Sequence, residues 1–267
     1  MKIALMDSGI GLLPAAAAVR RLRPDADLVI SSDPDGMPWG PRTPQDLTER
    51  ALAVAEAAAA HRPDALIVGC NTASVHALPA LRDLLEPALP VIGTVPAIKP
   101  AASGGAPFAI WATPATTGSP YQRGLIAEFA DGVAVTEVPC WGLAEAVEHA
   151  DDDAIDAAVA AAAALTPDEV TTVVLGCTHY ELVAERIRAA VQKPGRPPLV
   201  LHGSAGAVAA QALRRIGELP KPEADWTGST LTVILSGRQG ALPAPALAYE
   251  EGRLLGGSAA LAAHPEQ

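Results

Sequence analysis

The sequence predicts an α/β fold built on parallel sheets, from three observations. Short runs rich in Val and Ile alternate with longer runs rich in Ala, Leu and Glu. Strands of that composition with helices between them are the mark of βαβ units, whose sheets are buried on both faces. Pro and Gly cluster near 96–107 and 193–198, where the chain is expected to cross between two domains. No repeat of 20–50 residues shows, so an array or propeller is excluded.

In order, strands are expected at 3–6 and 28–31, with a helix near 11–22 between them. A helix near 45–61 follows, its start signalled by Thr43 before Pro44. The strand at 65–68 leads to a helix near 74–86 and a strand at 91–93. Beyond the first Pro/Gly cluster come a strand at 108–111, a helix near 117–130 and a strand at 133–138. A helix near 153–165 precedes Thr166-Pro167-Asp168-Glu169, which reads as another helix-start signal before the strand at 172–175. Helices near 181–192 and 204–217 flank a strand at 199–201, and a strand at 230–235 comes last.

Composition narrows the function classes. Of 267 residues 49 % are hydrophobic, which excludes a disordered chain. Aromatics are only 3 %, so the core must be aliphatic and small. The 56 Ala, and the 15 Arg among 19 basic residues, read as genome bias rather than as function. A net charge of −11 argues against nucleic-acid and anionic-membrane partners. The opening residues are too short for a secretory signal, and the Ala-rich 154–165 is too short to span a bilayer, so a cytoplasmic protein is expected. Three cysteines make neither a disulfide framework nor a zinc spacing, and no metal is expected.

Two of the cysteines lie in matching contexts. Ala65-Leu66-Ile67-Val68-Gly69-Cys70-Asn71-Thr72 and Val173-Val174-Leu175-Gly176-Cys177-Thr178-His179 are each an apolar strand, then Gly-Cys, then residues able to cap a helix. Open α/β sheets bind ligands at the carboxyl ends of their strands, where both thiols would sit. A helix starting there would favour the thiolate. A lone cysteine is more often a small buried hydrophobe, but two in matching contexts reverse that preference. Cys140 lacks the context and reads as structural or incidental.

Two thiols on two facing domains could serve opposite faces of one carbon. A thiolate takes a proton from one side while a thiol returns one from the other, which inverts a stereocentre without a cofactor. A single base would return the proton to the face it left. Ser8, Asn71, Thr72, Thr116 and Thr178, with backbone N–H groups, are candidates for holding a substrate carboxylate.

At these residues the chain resembles the glutamate racemases of the aspartate/glutamate racemase superfamily. The resemblance runs from Asp7 to about residue 215. It rests on Asp7-Ser8-Gly9-Ile10-Gly11, Pro38-Trp39-Gly40-Pro41-Arg42, Cys70-Asn71-Thr72-Ala73-Ser74, Pro90-Val91-Ile92-Gly93, Val95-Pro96-Ala97-Ile98-Lys99-Pro100, Ala112-Thr113-Pro114-Ala115-Thr116 and Leu175-Gly176-Cys177-Thr178-His179-Tyr180. It implies Cys70 and Cys177 as the two α-carbon acid/bases, with Asp7 assisting the first and His179 the second. Glu148 falls at a further assisting carboxylate, with Glu145 as its rival. Ser8, Trp39, Gly40, Asn71, Thr72, Thr113, Thr116 and Thr178 fall where the family grips its amino acid. The resemblance also implies two pseudo-symmetric α/β domains with the active site in the cleft between them. Residues 1–95 with 206–267 would carry Asp7 and Cys70, and 96–205 would carry Cys177 and His179. No cofactor is implied, and homodimers are common in the family.

Four departures stand out. Leu12 replaces a second Gly, and Trp39 a Tyr. Glu181 stands where the family generally has Pro. It would raise the pKa of His179 or Cys177 if turned inward, but as the start of a helix it is expected to be exposed. The family's Asp-Ser-Gly near the last crossover reads His202-Gly203-Ser204-Ala205-Gly206, which loses an acid. Three functions fit the residues. They are glutamate racemisation supplying D-glutamate for peptidoglycan, the same chemistry on aspartate, a hydantoin or another α-substituted acid, and non-catalytic amino-acid binding. A binder needs none of Cys70, Cys177, Asp7 and His179. A phosphate site lacks its Gly-rich Lys-Ser/Thr loop.

Overall fold

The computed structural model describes residues 1–262. By its contacts the chain forms two compact units, Met1–Thr94 with the segment from Ala205 onward, and Val95–Ser204. The first unit begins with β1 (Lys2–Asp7), α1 (Leu13–Leu22), β2 (Asp27–Ser32), α2 (Pro44–Ala59), β3 (Ala65–Val68), α3 (Asn71–His76), α4 (Leu78–Leu85) and β4 (Val91–Gly93). The second unit holds α5 (Ile98–Ala102), β5 (Phe108–Ala112), α6 (Pro120–Phe129), β6 (Val135–Pro139), α7 (Leu143–His149), α8 (Asp152–Ala164), β7 (Thr172–Leu175), α9 (Ala184–Val191) and β8 (Val200–His202). The chain then returns to the first unit with α10 (Ala205–Arg215), β9 (Leu231–Leu235), β10 (Arg238–Gly240) and α11 (Glu250–Ala262).

The first unit is a six-stranded sheet in the order β10-β9-β2-β1-β3-β4, parallel except for β10. Central β1 pairs β2 on one side and β3 on the other, with Met6 beside Val68. The second is a parallel sheet in the order β6-β5-β7-β8. Both central strands are buried along almost their whole length, because helices cover both sheet faces. The alanine content has a local use. Ala51, Ala55 and Ala58 on α2 are wholly buried, and small residues there let the helix lie close on β1.

Several expected elements take a different form, each for a visible reason. Thr43 does cap α2, its Oγ1 accepting from Asp46 N. By contrast Thr166-Pro167-Asp168-Glu169 starts no helix. Thr166 Oγ1 accepts from Trp111 Nε1 at 2.9 Å and donates to Ala162 O, and Val170 N closes a turn onto Pro167 O. The helix expected near 74–86 is two, starting at Asn71 and breaking at Ala77 (φ −109°). The one near 181–192 opens instead as a 3-10 turn, Thr178–Val183, before α9. Strand β10 was not anticipated from its polar sequence. Ser236 (φ 45°) and Gly237 (φ 76°) form the two left-handed positions of a tight hairpin between Leu235 and Arg238. Among the described residues no helix is long and apolar enough to cross a membrane.

Candidate active site

In the first unit the candidate residues gather at the carboxyl ends of β1 and β3. Asp7 ends β1 and is fully buried. Its Oδ1 accepts from Ser8 N at 2.6 Å and Ser8 Oγ at 3.1 Å. One residue past β3, Gly69 N donates to Met6 O at 2.7 Å, and a Cβ there would come within 3.2 Å of Leu12 Cα. Cys70 follows in an extended conformation (φ −120°, ψ 122°), buried, immediately before α3. Asn71, buried, and Thr72, half-buried, open that helix.

The Trp39 indole belongs to the core cluster that also holds Met6, Leu47 and Cys70. Its Nε1 donates to Asp33 Oδ2 at 3.1 Å. Asp33 also accepts from Arg50 Nη1 and Ser236 Oγ, while its own N–H donates to Ser8 O. Asp33 thus ties the loop bearing Trp39 and half-buried Gly40 to the segment bearing Ser8. Sequence reasoning missed it, because an Asp in a Ser-Ser-Asp-Pro-Asp-Gly run looks like an ordinary turn residue.

The second unit repeats the arrangement at β5 and β7. Gly176 N donates to Trp111 O at 2.7 Å, and a Cβ on Gly176 would stand 2.7 Å from that same carbonyl oxygen. Cys177 follows, extended (φ −134°, ψ 135°) and half-buried. His179, two residues into the 3-10 turn, is 5 % exposed. Its Nδ1 lies 3.8 Å from Cys177 Sγ and its Nε2 lies 2.9 Å from Glu148 Oε2 on α7. Glu148 is the carboxylate that reaches the imidazole, whereas Glu145 is exposed one turn earlier.

Thr178 is buried in the same turn. Thr113 and Thr116 face each other across the loop after β5, with 3.2 Å between their hydroxyls. Glu137 Oε2 fixes that loop by accepting from Gly118 N at 2.8 Å and Gln122 Nε2 at 2.7 Å. Glu181 is not the exposed helix-start residue expected of it. It is half-buried, and its Oε1 accepts from Ser204 N at 2.7 Å and Ser204 Oγ at 2.9 Å. Cys140 is buried, its Sγ donating to Val138 O, and burial followed by the nearby Cys177 pushes its thiol up to about 12. The fully buried Tyr180 phenol donates to Cys140 O, and burial holds its pKa well above the usual value.

Fold and thiol placement together put the chain among α/β enzymes that work at the carboxyl ends of parallel strands. Comparison with known proteins defines the group further. The family model for Asp/Glu/Hydantoin racemase matches residues 13–210. The glutamate racemase of Roseiflexus sp. (strain RS-1) is 38% identical over 192 residues, 70% of each chain. That of Granulibacter bethesdensis is 39% identical over 220 residues, 79% of this chain and 77% of the other. The crystal structure of Escherichia coli glutamate racemase, in complex with L-glutamate and the activator UDP-MurNAc-ala, superimposes with a TM-score of 0.77 at 28% identity. It covers 97% of this chain and 95% of that one. The chain belongs to the Asp/Glu/hydantoin racemase family.

Proposed function

We propose that this protein racemises glutamate by a cofactor-independent, two-cysteine acid/base mechanism and so supplies D-glutamate for peptidoglycan. Cys70 and Cys177 act on opposite faces of the α-carbon, one as thiolate and the other as thiol, exchanging roles with the direction of turnover. Asp7 assists Cys70 and His179 assists Cys177. Ser8, Trp39, Gly40, Asn71, Thr72, Thr113, Thr116 and Thr178 hold the amino acid through hydroxyls, an amide and backbone groups. Such local donors suit a substrate that carries two carboxylates.

The observation that carries this reading is the pair of equivalent strand–Gly–Cys ends, backed in the second unit by the Cys177–His179–Glu148 line. With Nε2–H donating to Glu148, Nδ1 is left as the acceptor that takes the thiol proton. The carboxylate then stabilises the imidazolium that forms. On the first unit's side, Asp7 keeps its carboxylate fixed by two bonds from Ser8 and can accept a substrate proton. Glutamate is favoured over aspartate or a hydantoin because the curated relatives at 38% and 39% identity are glutamate racemases. The two departures nearest the candidate residues do not oppose this, since the Trp39 ring lies in the core and Glu181 engages Ser204.

Heavy water tests the mechanism. Wild type should exchange the α-proton of either glutamate enantiomer with no pyridoxal or metal added, and Cys70→Ser and Cys177→Ser should each abolish racemisation. Either single variant racemising at the wild-type rate overturns the two-base mechanism. Circular dichroism on a panel of L- and D-amino acids tests the substrate, and turnover of aspartate without glutamate overturns that choice. Calorimetric binding of glutamate without turnover would instead mark a binder. The same reading expects a cytoplasmic enzyme partnered by a small amino acid, and sedimentation tests for the homodimer common in the family.

A further inference from the structure

The turn Thr178–Val183 carries Thr178 and His179 but has 3-10 geometry, whose backbone bonds are weaker than those of an α-helix. Side chains therefore do much of its fixing. His179 holds it to Glu148 and Tyr180 holds it to Cys140 O. The third tether is Glu181, which takes both the N–H and the hydroxyl of Ser204, at the end of the second unit beyond β8.

Gly203 is what makes room for that carboxylate. A Cβ built on Gly203 would stand 2.4 Å from Glu181 Oε2 and 2.5 Å from its Cδ. Gly203 does not have the left-handed backbone that demands glycine, unlike Gly195 (φ 75°) shortly before it. Its missing side chain thus answers to Glu181 rather than to the path of the chain. The carboxylate occupies the space where a residue-203 side chain would begin, and caps Ser204 from there. The carboxylate that caps Ser204 thus comes from the turn beside the second thiol.

We infer that Glu181 is a positioning residue for Cys177 and His179, and that Glu181 and Gly203 work as a pair, the glycine admitting the carboxylate that fixes the turn to Ser204. The kinetic consequence rests on the proposed racemase function, while the clamp itself does not. Loosening the turn shifts His179 and Cys177 relative to the reacting carbon and moves Thr178 with them, so kcat should fall by more than KM rises.

Glu181→Ala, Glu181→Gln, Gly203→Ala and Glu181→Ala/Gly203→Asp test this by two readouts, amide hydrogen exchange across 178–183 and 203–204, and kcat and KM with each glutamate enantiomer. Glu181→Ala and Gly203→Ala should both speed exchange there and lower kcat by about ten- to a hundredfold, with KM moving less than about threefold. Glu181→Gln keeps an oxygen for both Ser204 bonds and should retain most of the rate. The double variant returns a carboxylate from residue 203, which caps Ser204 but leaves the turn untethered, so it should regain protection at 203–204 while exchange across 178–183 stays fast and kcat stays low. Wild-type exchange and kcat in Glu181→Ala or Gly203→Ala would overturn the inference, as would a double variant that regains wild-type kcat with no side chain of the turn on Ser204. A wild type with no racemase activity would sink the proposed function, and the exchange data would still decide the clamp.

Discussion

Glu148 Oε2 stands 2.9 Å from His179 Nε2, on the far side of the imidazole from Cys177 Sγ. Both partners are largely buried, with side chains 13 % and 6 % exposed, so the pair is little screened by solvent. In the proposed mechanism a carboxylate at that distance would keep the proton on Nε2 and leave Nδ1 facing the sulfur.

Glu148→Gln removes that charge while keeping the shape. It should lower kcat by about ten- to a hundredfold and leave KM nearly unchanged, since Glu148 reaches the histidine and is not among the residues proposed to hold the substrate. Glu145→Gln, three residues away and exposed, should match wild type. Steady-state rates with both enantiomers check this. Equal losses in the two variants would remove Glu148 from its assigned place.

Cys140 should be dispensable. Its thiol is buried and pushed up to about 12, so it stays protonated and unreactive through the neutral range. Iodoacetamide at pH 8 should label half-buried Cys177 and spare Cys140, as read by peptide mass spectrometry. Cys140→Ala should keep wild-type kcat and cost on the order of 1 kcal/mol in stability from the small void left. Labelling of Cys140 at the rate of Cys177, or loss of turnover in the alanine variant, would contradict this.

The features legible in the sequence were those with a local chemical signature. Apolar runs such as 65–68 and 172–175 gave the parallel strands, and the Gly-Cys pairs after them gave both thiols, because a parallel sheet fixes where a strand's next residue points. Less legible were features made by contacts distant in sequence. The helix expected after Cys177 opens as a 3-10 turn held by Glu148, Cys140 O and Ser204, from residues 23 to 40 positions away. Thr166 looked like a cap but its hydroxyl is taken by Trp111, 55 residues away. Glu148 could be told from Glu145 only once α7 was laid beside His179.

Acid should loosen the first unit. Asp25 is held below the usual carboxylate range by its two-point bond with Arg23. For Asp27 burial acts upward, but the bonds from Thr230 Oγ1 and N outweigh it and lower its pKa. Glu86 is lowered first by the Val91 N–H and then by Arg215. A carboxyl with a depressed folded pKa contributes stability above its unfolded value near ~4 and loses it as pH falls through the folded value. The urea midpoint should therefore be flat from pH 7 to about 5 and fall below about 4. Asp27→Asn should flatten part of that fall, because it removes one of the groups that must be protonated. A midpoint unchanged down to pH 3 would show that these bonds contribute nothing.

The two Gly-Cys steps should differ in tolerance although their sequences match. At Gly176 an added Cβ meets Trp111 O at 2.7 Å, and that oxygen is pinned because it accepts the Gly176 N–H at the same distance. Neither the carbonyl nor the strand end can yield without breaking the bond that aims Cys177. At Gly69 the closest atoms are Leu12 Cα and Cβ at 3.2 Å and Met6 O at 3.3 Å, which a shift of a few tenths of an ångström relieves. Gly176→Ala should cost about 1–3 kcal/mol in the urea melt. Because the strain falls one residue from Cys177, it should also lower kcat more than stability alone predicts when assayed well below the melt. Gly69→Ala should lose less of both. Equal effects at the two positions would mean that the close carbonyl contact at Trp111 does not set the position of the second thiol.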